Sequence, residues 1–192
     1  MGNFTTAKAI TILDIETSHL DPSKAAILQI SVITDWDNGD VDIWTTKIKP
    51  KDIELDFASS DALKICGYNK KDWEDAPSFE DVAEKIISKL KYGPLVAHNI
   101  QFDISHIEAN LRRYGYGRED RENKLKRKGT YRLGYPMIDT CALSYIFLPT
   151  ERQNLTALRE HFELDHEGAH TSEKDCEDCR TVFYKIIDKT LR

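Results

Sequence analysis

The sequence predicts an α/β fold: a mixed five-stranded sheet, its first three strands a meander, with helices flanking its faces. Three observations carry this. Ala9 to Ile15 is a short, nearly continuous apolar run, as a central strand covered on both faces requires. Two further strand-like runs, Ala26 to Thr34 and Val41 to Ile48, are separated by the turn signal Asp37-Asn38-Gly39-Asp40, which predicts a hairpin. Beyond residue 50 the apolar spacing changes to that of helices alternating with brief apolar runs.

Ser59 to Cys66 reads as a short helix ended by Gly67. Pro77 then introduces a stronger one, because Ser78-Phe79-Glu80-Asp81 resembles a capping box and Phe79, Val82, Ala83, Ile86, Ile87 and Leu90 form one apolar stripe. Gly93-Pro94 breaks the chain, and Leu95-Val96-Ala97-His98 is the fourth strand. A helix from about Gln101 to Tyr114 aligns Ile104, Ile107, Leu111 and Tyr114. Met137-Ile138-Asp139 is a brief fifth strand that leads into a helix ending near Phe147. Asn154 to Phe162 and Ser172 to Lys189 complete the set, the last with Cys179, Val182, Phe183, Ile186 and Ile187 inward. With no repeat, low-complexity tract or linker composition, residues 1–192 are expected to form one domain.

Composition narrows the function classes. Hydrophobic residues at 40% and charged residues at 31% are ordinary for a soluble globular protein, and no run of about 18 apolar residues suggests a membrane span. No basic-then-apolar leader opens the chain, so a cytoplasmic protein is expected. Four cysteines are too sparse for a disulfide scaffold. Cys176-Glu177-Asp178-Cys179 has zinc-site spacing but lacks a second pair, so both thiols are read as small apolar residues packed on one helix; stoichiometric zinc would reverse this. The net charge of −6 is unevenly spread: between Arg112 and Arg132 nine basic residues face three acids, leaving that stretch at +6 and the remainder at −12. Such a segment suits phosphate tracking, and equally a solvated loop without a partner.

The residues that carry chemistry come in three pieces. Asp14-Ile15-Glu16 closes the first strand, and side chains two apart on a strand share a face, roughly 6–7 Å apart. Two such carboxylates repel unless a cation joins them, and hard oxygen donors favour Mg2+ or Mn2+. His98-Asn99-Ile100-Gln101-Phe102-Asp103 places Asp103 in the first turn of a helix after a buried strand, where it also complements the helix dipole. His170-Thr171-Ser172-Glu173-Lys174-Asp175 opens the last helix. There Asp175 shares a face with Cys179, Val182 and Ile186, a costly place for an acid without a partner. The histidines at 19, 106, 161 and 166 are read as exposed.

In this order the three pieces resemble the histidine branch of the DEDD exonuclease superfamily, which includes the proofreading subunits of bacterial replicative polymerases and small RNA-trimming exonucleases. The resemblance runs from Ile10 to about Ile187. It takes in Ala62-Leu63-Lys64-Ile65-Cys66-Gly67-Tyr68, Ala76-Pro77-Ser78-Phe79 and Pro136-Met137-Ile138-Asp139-Thr140 as well. It implies a ribonuclease-H-like fold and a 3′–5′ exonuclease in which Asp14, Glu16, Asp103 and Asp175 hold two metal ions, Mg2+ or Mn2+, with Asp14 bridging both. It further implies that His170 is the general base, that Thr17 and Leu20 lie beside the terminal nucleotide, Leu20 as a wedge, and that Phe102 lies near its sugar or base. His19 stands where the family often has glycine, which leaves the conformation of that loop open. The implied partners are 3′ ends of single-stranded DNA, with RNA as the alternative, and a separate polymerase or repair protein; oligomeric state is left open. A nucleic-acid-binding module that does not cut is the competing class, and loss of a ligand residue would mark it; all four acids and the histidine are present.

Overall fold

A computed structural model describes residues 8–116, 133 and 136–190. The sheet has five strands: β1 (Ala9–Thr17), β2 (Ile27–Trp36), β3 (Val41–Lys47), β4 (Leu95–Ala97) and β5 (Met137–Asp139). Their order is β3-β2-β1-β4-β5. The first three strands pair antiparallel, while β4 joins β1 and β5 joins β4 in parallel, so the sheet is mixed as expected. The helices are α1 (Asp52–Leu55), α2 (Ser60–Ile65), α3 (Phe79–Lys89), α4 (Ile100–Arg113), α5 (Thr140–Phe147), α6 (Leu155–His161) and α7 (Ser172–Thr190).

Alternation along the strands divides the core. Leu13 and Ile15 of β1, Ile30 and Val32 of β2, and Leu95 and Ala97 of β4 face α3 and α4, where they meet Phe79, Ala83, Ile86, Ile104 and Ile107. Ile12, Ile33 and Val96 point the other way, onto Cys176, Cys179 and Phe183 of α7. Behind α7, its Val182 and Ile186 close over Leu155 and Leu158 of α6. The two thiols are therefore core residues, and burial raises the pKa of both. Two polar contacts fix the register of α7 on the sheet: Arg180 reaches both carboxylate oxygens of Asp35 at 3.0 and 2.8 Å, and Ser172 N–H donates to Gln29 Oε1 at 3.2 Å.

Some predicted boundaries move by a residue or two, because Ser59 and Asn154, read as the first residues of helices, are their caps. Ser59, Ser78, Asp139 and Asn154 each accept a backbone N–H from the first turn of α2, α3, α5 and α6. The capping box of α3 is present, with Asp81 returning to Ser78 N–H. β4 ends at Ala97 rather than His98, since Asn99 turns into the left-handed region at φ 65°. Gly93 sits at φ +63°, and a Cβ there would lie 1.9 Å from Ala9 O, so only glycine lets the chain pass β1 before β4 begins. The short helix α1 is an addition to the predicted elements. Among the described residues no helix is long and apolar enough to cross a membrane.

Candidate active site

Asp14 and Glu16 continue the even-numbered row of β1 begun by Ile10 and Ile12, so they emerge on the α7 side of the sheet. The strand runs on to Thr17, one residue past Glu16, and pairs with β2 as far as Ile27. From above, α7 lowers Asp175 toward them. One ligand oxygen from each of Asp14, Glu16 and Asp175 lies within 4.8 Å of the other two, and among the described residues no other group of three His, Cys, Asp or Glu has this spacing.

Asp103 stands outside that trio but next to Asp14. It is buried in the first turn of α4, at the sharp β4–α4 junction. That junction is held by Asp139, whose Oδ1 accepts the Asn99 N–H at 3.0 Å and the Cys141 N–H at 2.9 Å. Asp139 thus ties left-handed Asn99 to the start of α5, and the next turn of α4 delivers Asp103. His98 Nδ1 rests 3.0 Å from Thr140 Oγ1, which makes it part of this brace.

The electrostatics of these acids are extreme. Burial, with the charges of Asp103, Asp175 and Glu16 added, raises the Asp14 carboxyl well above the usual carboxylate range. Burial also pushes Glu16 up to about 8, with Asp175 adding to it. Asp103 rises for the same first reason, against the opposing amide groups of Asp103 and Ile15. Half-buried Asp14 and Glu16 and buried Asp103 oppose one another's ionisation, and such a set of hard carboxylate oxygens could hold a divalent cation.

The other predicted site residues fall as follows. His170 is exposed, takes φ 68°, and its backbone N–H donates to Asp175 Oδ1 at 3.1 Å. Leu20 is 77% exposed at the tip of the loop after β1. Thr17 is buried, and its hydroxyl donates to His19 O at 3.2 Å within the same loop. Phe102 is half-buried with its ring 4.1 Å from that of His106. His106 corrects the sequence reading: it is buried, not exposed, because α4 turns it inward, with Nδ1 2.8 Å from Phe102 O and Nε2 3.2 Å from His19 O. It therefore braces the Leu20 loop at the position where glycine was expected, while His19 Nδ1 accepts the Asp21 N–H at 2.8 Å.

Sequence reasoning missed a charged group behind the site. Arg159 of α6, 1% exposed, donates through Nη2 to Asp175 Oδ1 at 2.5 Å and through Nε to Asp178 Oδ2 at 2.6 Å. Lys174 Nζ holds the remaining oxygen of Asp178 at 2.8 Å. The available signal was an arginine four residues after Leu155 on the apolar stripe of α6, facing two acids three apart on α7. Of the basic segment, Arg112 pairs with Glu108 at 3.3 Å and Arg113 with Glu54 at 3.0 Å. Its other basic residues, Arg118 to Arg132, lie outside the described residues.

A mixed β3-β2-β1-β4-β5 sheet with acids on its central strand, on the helix after β4 and on the last helix defines a ribonuclease-H-like nuclease. The chain belongs to the exonuclease family, whose sequence model, described as "Exonuclease", matches residues 11–183. It is 28% identical over 181 residues to the 3′–5′ exonuclease DinG of Bacillus subtilis, covering 93% of this chain but 17% of that protein. It is 26% identical to the DNA polymerase III subunit epsilon of Rickettsia felis, covering 94% of this chain and 79% of that subunit. The chain thus spans less than a fifth of DinG. The fold matches that of E. coli Exonuclease I in complex with a dT13 oligonucleotide, with TM-score 0.73 and 16% identity, over 95% of this chain and 41% of that one.

Proposed function

We propose that this chain is a 3′–5′ exonuclease that removes nucleotides from single-stranded nucleic acid, DNA by preference, and releases nucleoside 5′-monophosphates. The observation that carries the reading is the convergence of Asp14, Glu16 and Asp175 within 4.8 Å, with Asp103 near enough to raise Asp14. Asp14, Glu16 and Asp175 would then hold one cation, and Asp14 with Asp103 a second. Two Mg2+ or Mn2+ ions bound there would activate water and neutralise the leaving 3′ oxygen.

The protein's own groups do the remainder. His170, exposed beside Asp175, takes the proton from the attacking water at its imidazole. Leu20, projecting from a loop braced by His106, presses against the terminal base, and Phe102 lies beside its sugar. Thr17 supports that loop from beneath. Preference for DNA rests on the relatives, which are named as a DNA polymerase III subunit and as a 3′–5′ exonuclease, and on the oligonucleotide complex of the structural neighbour. A polymerase or repair protein is the corresponding partner.

The test offers 5′-labelled single-stranded DNA, RNA and mismatched duplex with Mg2+ or Mn2+ and identifies the products. A ladder shortening from the 3′ end of DNA, with 5′-monophosphates released, is expected. RNA shortened faster than DNA would replace the substrate assignment, and no shortening of any strand would end the reading. His170→Ala should lower the rate by about 10²-fold; a full rate with the same pH profile would remove its role.

A further inference from the structure

A buried guanidinium and a backbone amide converge on one atom of the carboxylate trio. Asp175 Oδ1 accepts from Arg159 Nη2 at 2.5 Å and from the His170 N–H at 3.1 Å. Among the described residues no hydrogen bond reaches Asp175 Oδ2. Arg159 cannot shift freely, because its Nε is held by Asp178 Oδ2 at 2.6 Å and Asp178 is itself tied to Lys174 at 2.8 Å. The guanidinium is planar and rigid, so its two bonded edges fix two acids of α7, three residues apart, in one orientation. The fork itself lies in the interior, Arg159 being 1% and Asp178 3% exposed, while Asp175 and Lys174 are half-buried and His170 is exposed.

We propose that Arg159 is a positioning residue for the cation site, an inference that rests on the metal reading above. By occupying Oδ1 it leaves Asp175 a single oxygen to offer, Oδ2, and it holds that oxygen in place before any ion arrives. Through the same Oδ1, the left-handed turn at His170 is anchored to the ligand it must work beside. One buried arginine on α6 therefore sets both a ligand and the backbone that carries the proposed base.

A competing role, bare counter-charge, makes the opposite prediction. A positive group close to a cation repels it, so if charge alone mattered, removing Arg159 would tighten metal binding. If positioning matters, keeping the charge while losing the fork should weaken it. Arg159→Lys makes that separation, since an ammonium is a point charge that cannot bridge both acids as the fork does.

The experiment measures Mn2+ binding without substrate, by the EPR signal of free Mn2+, for the full chain and its variants, with melting temperature in chelator as the check on folding. Arg159→Lys should bind Mn2+ about tenfold more weakly, in the range usual for groups that orient a ligand from behind. Its kcat at saturating Mn2+ should recover part of the loss. Asp178→Asn, which weakens the other arm of the fork, should lose affinity by a smaller factor of about three. Wild-type affinity in Arg159→Lys, or tighter binding in Arg159→Gln, overturns the proposal. Should Arg159→Lys fail to fold, Asp178→Asn decides: unchanged affinity overturns it and weakened affinity supports it. Asp14→Asn separates the two levels of the argument. If it binds Mn2+ as the wild type does, or the wild type binds none, the metal reading has failed and the positioning role falls with it. If Asp14→Asn loses binding while Arg159→Lys does not, only the positioning role fails.

Discussion

Half-buried Asp14 and Glu16 and buried Asp103 have no bonded cationic side chain among the described residues, whereas Asp175 and Asp178 on α7 are bonded to Arg159 and Lys174. The first set is held in an environment that opposes its charge: loss of water raises all three carboxyls, and the charges of neighbouring acids, Asp175 among them, add to it. The second set is neutralised inside the protein. The difference teaches that one sheet end was left electrostatically incomplete while its neighbour was completed with an arginine. The incomplete part is where a divalent ion would gain most, and the completed part holds Asp175 toward it from behind.

That contrast is easiest to break at Asp14. Asp14→Asn removes the acid shared by both proposed cation positions and should cut kcat/KM on single-stranded DNA by about 10³-fold, the equivalent of about 4 kcal/mol of lost charge stabilisation. Its melting temperature in chelator should nevertheless rise, because one of three mutually repelling groups is gone. A fall in both would mean that Asp14 is a structural acid. Arg159→Met should do the reverse to stability. It strands Asp178 in the interior with Lys174 alone and should cost about 3–5 kcal/mol, read by urea denaturation. A loss below about 1 kcal/mol would show that the two sets are not held differently.

The metal-free protein should also carry a pH signature. Glu16 is raised from an ordinary 4.5 to about 8, so the folded chain keeps a proton that the unfolded chain gives up. The associated stability is fully present below pH 4.5 and is lost as pH climbs toward 8, the unfolded state then binding fewer protons than the folded one. Melting temperature in chelator should decline across that window, and Mg2+ should flatten the decline by binding the ionised form. An equal slope with and without Mg2+ would sever Glu16 from the ion. The smallest effect belongs to Leu20, 77% exposed and outside both sets. Leu20→Ala should weaken substrate binding by about 1 kcal/mol, seen in KM, and leave the melting temperature unchanged.

The legible part of this molecule was whatever repeats or punctuates. Alternation on β1 placed Asp14 and Glu16 on one face, the capping box marked α3, and Gly93-Pro94 marked the turn into β4. The motif pieces that resemble the exonuclease family supplied Asp103, His170 and Asp175. Illegible were features whose cause lies across the fold. β1 extends past Glu16 to Thr17 because β2 lies alongside to pair with it, although the polar sequence there reads as a strand end. The single turn of α1 is too short for any apolar period to show. His106 and Arg159 are buried because carbonyls and carboxylates from distant segments meet them there. Patterns that equate polar with exposed cannot see such pairs.

The most direct test of the central contrast is to soak crystals of the protein in Mn2+ and locate the ions by anomalous scattering. The account predicts a peak among Asp14, Glu16 and Asp175, a second between Asp14 and Asp103, and Arg159 still bonded to Asp175 Oδ1 while Oδ2 turns to the ion. Mn2+ bound elsewhere with that cluster empty, or Arg159 displaced from Asp175 by the ion, would contradict it.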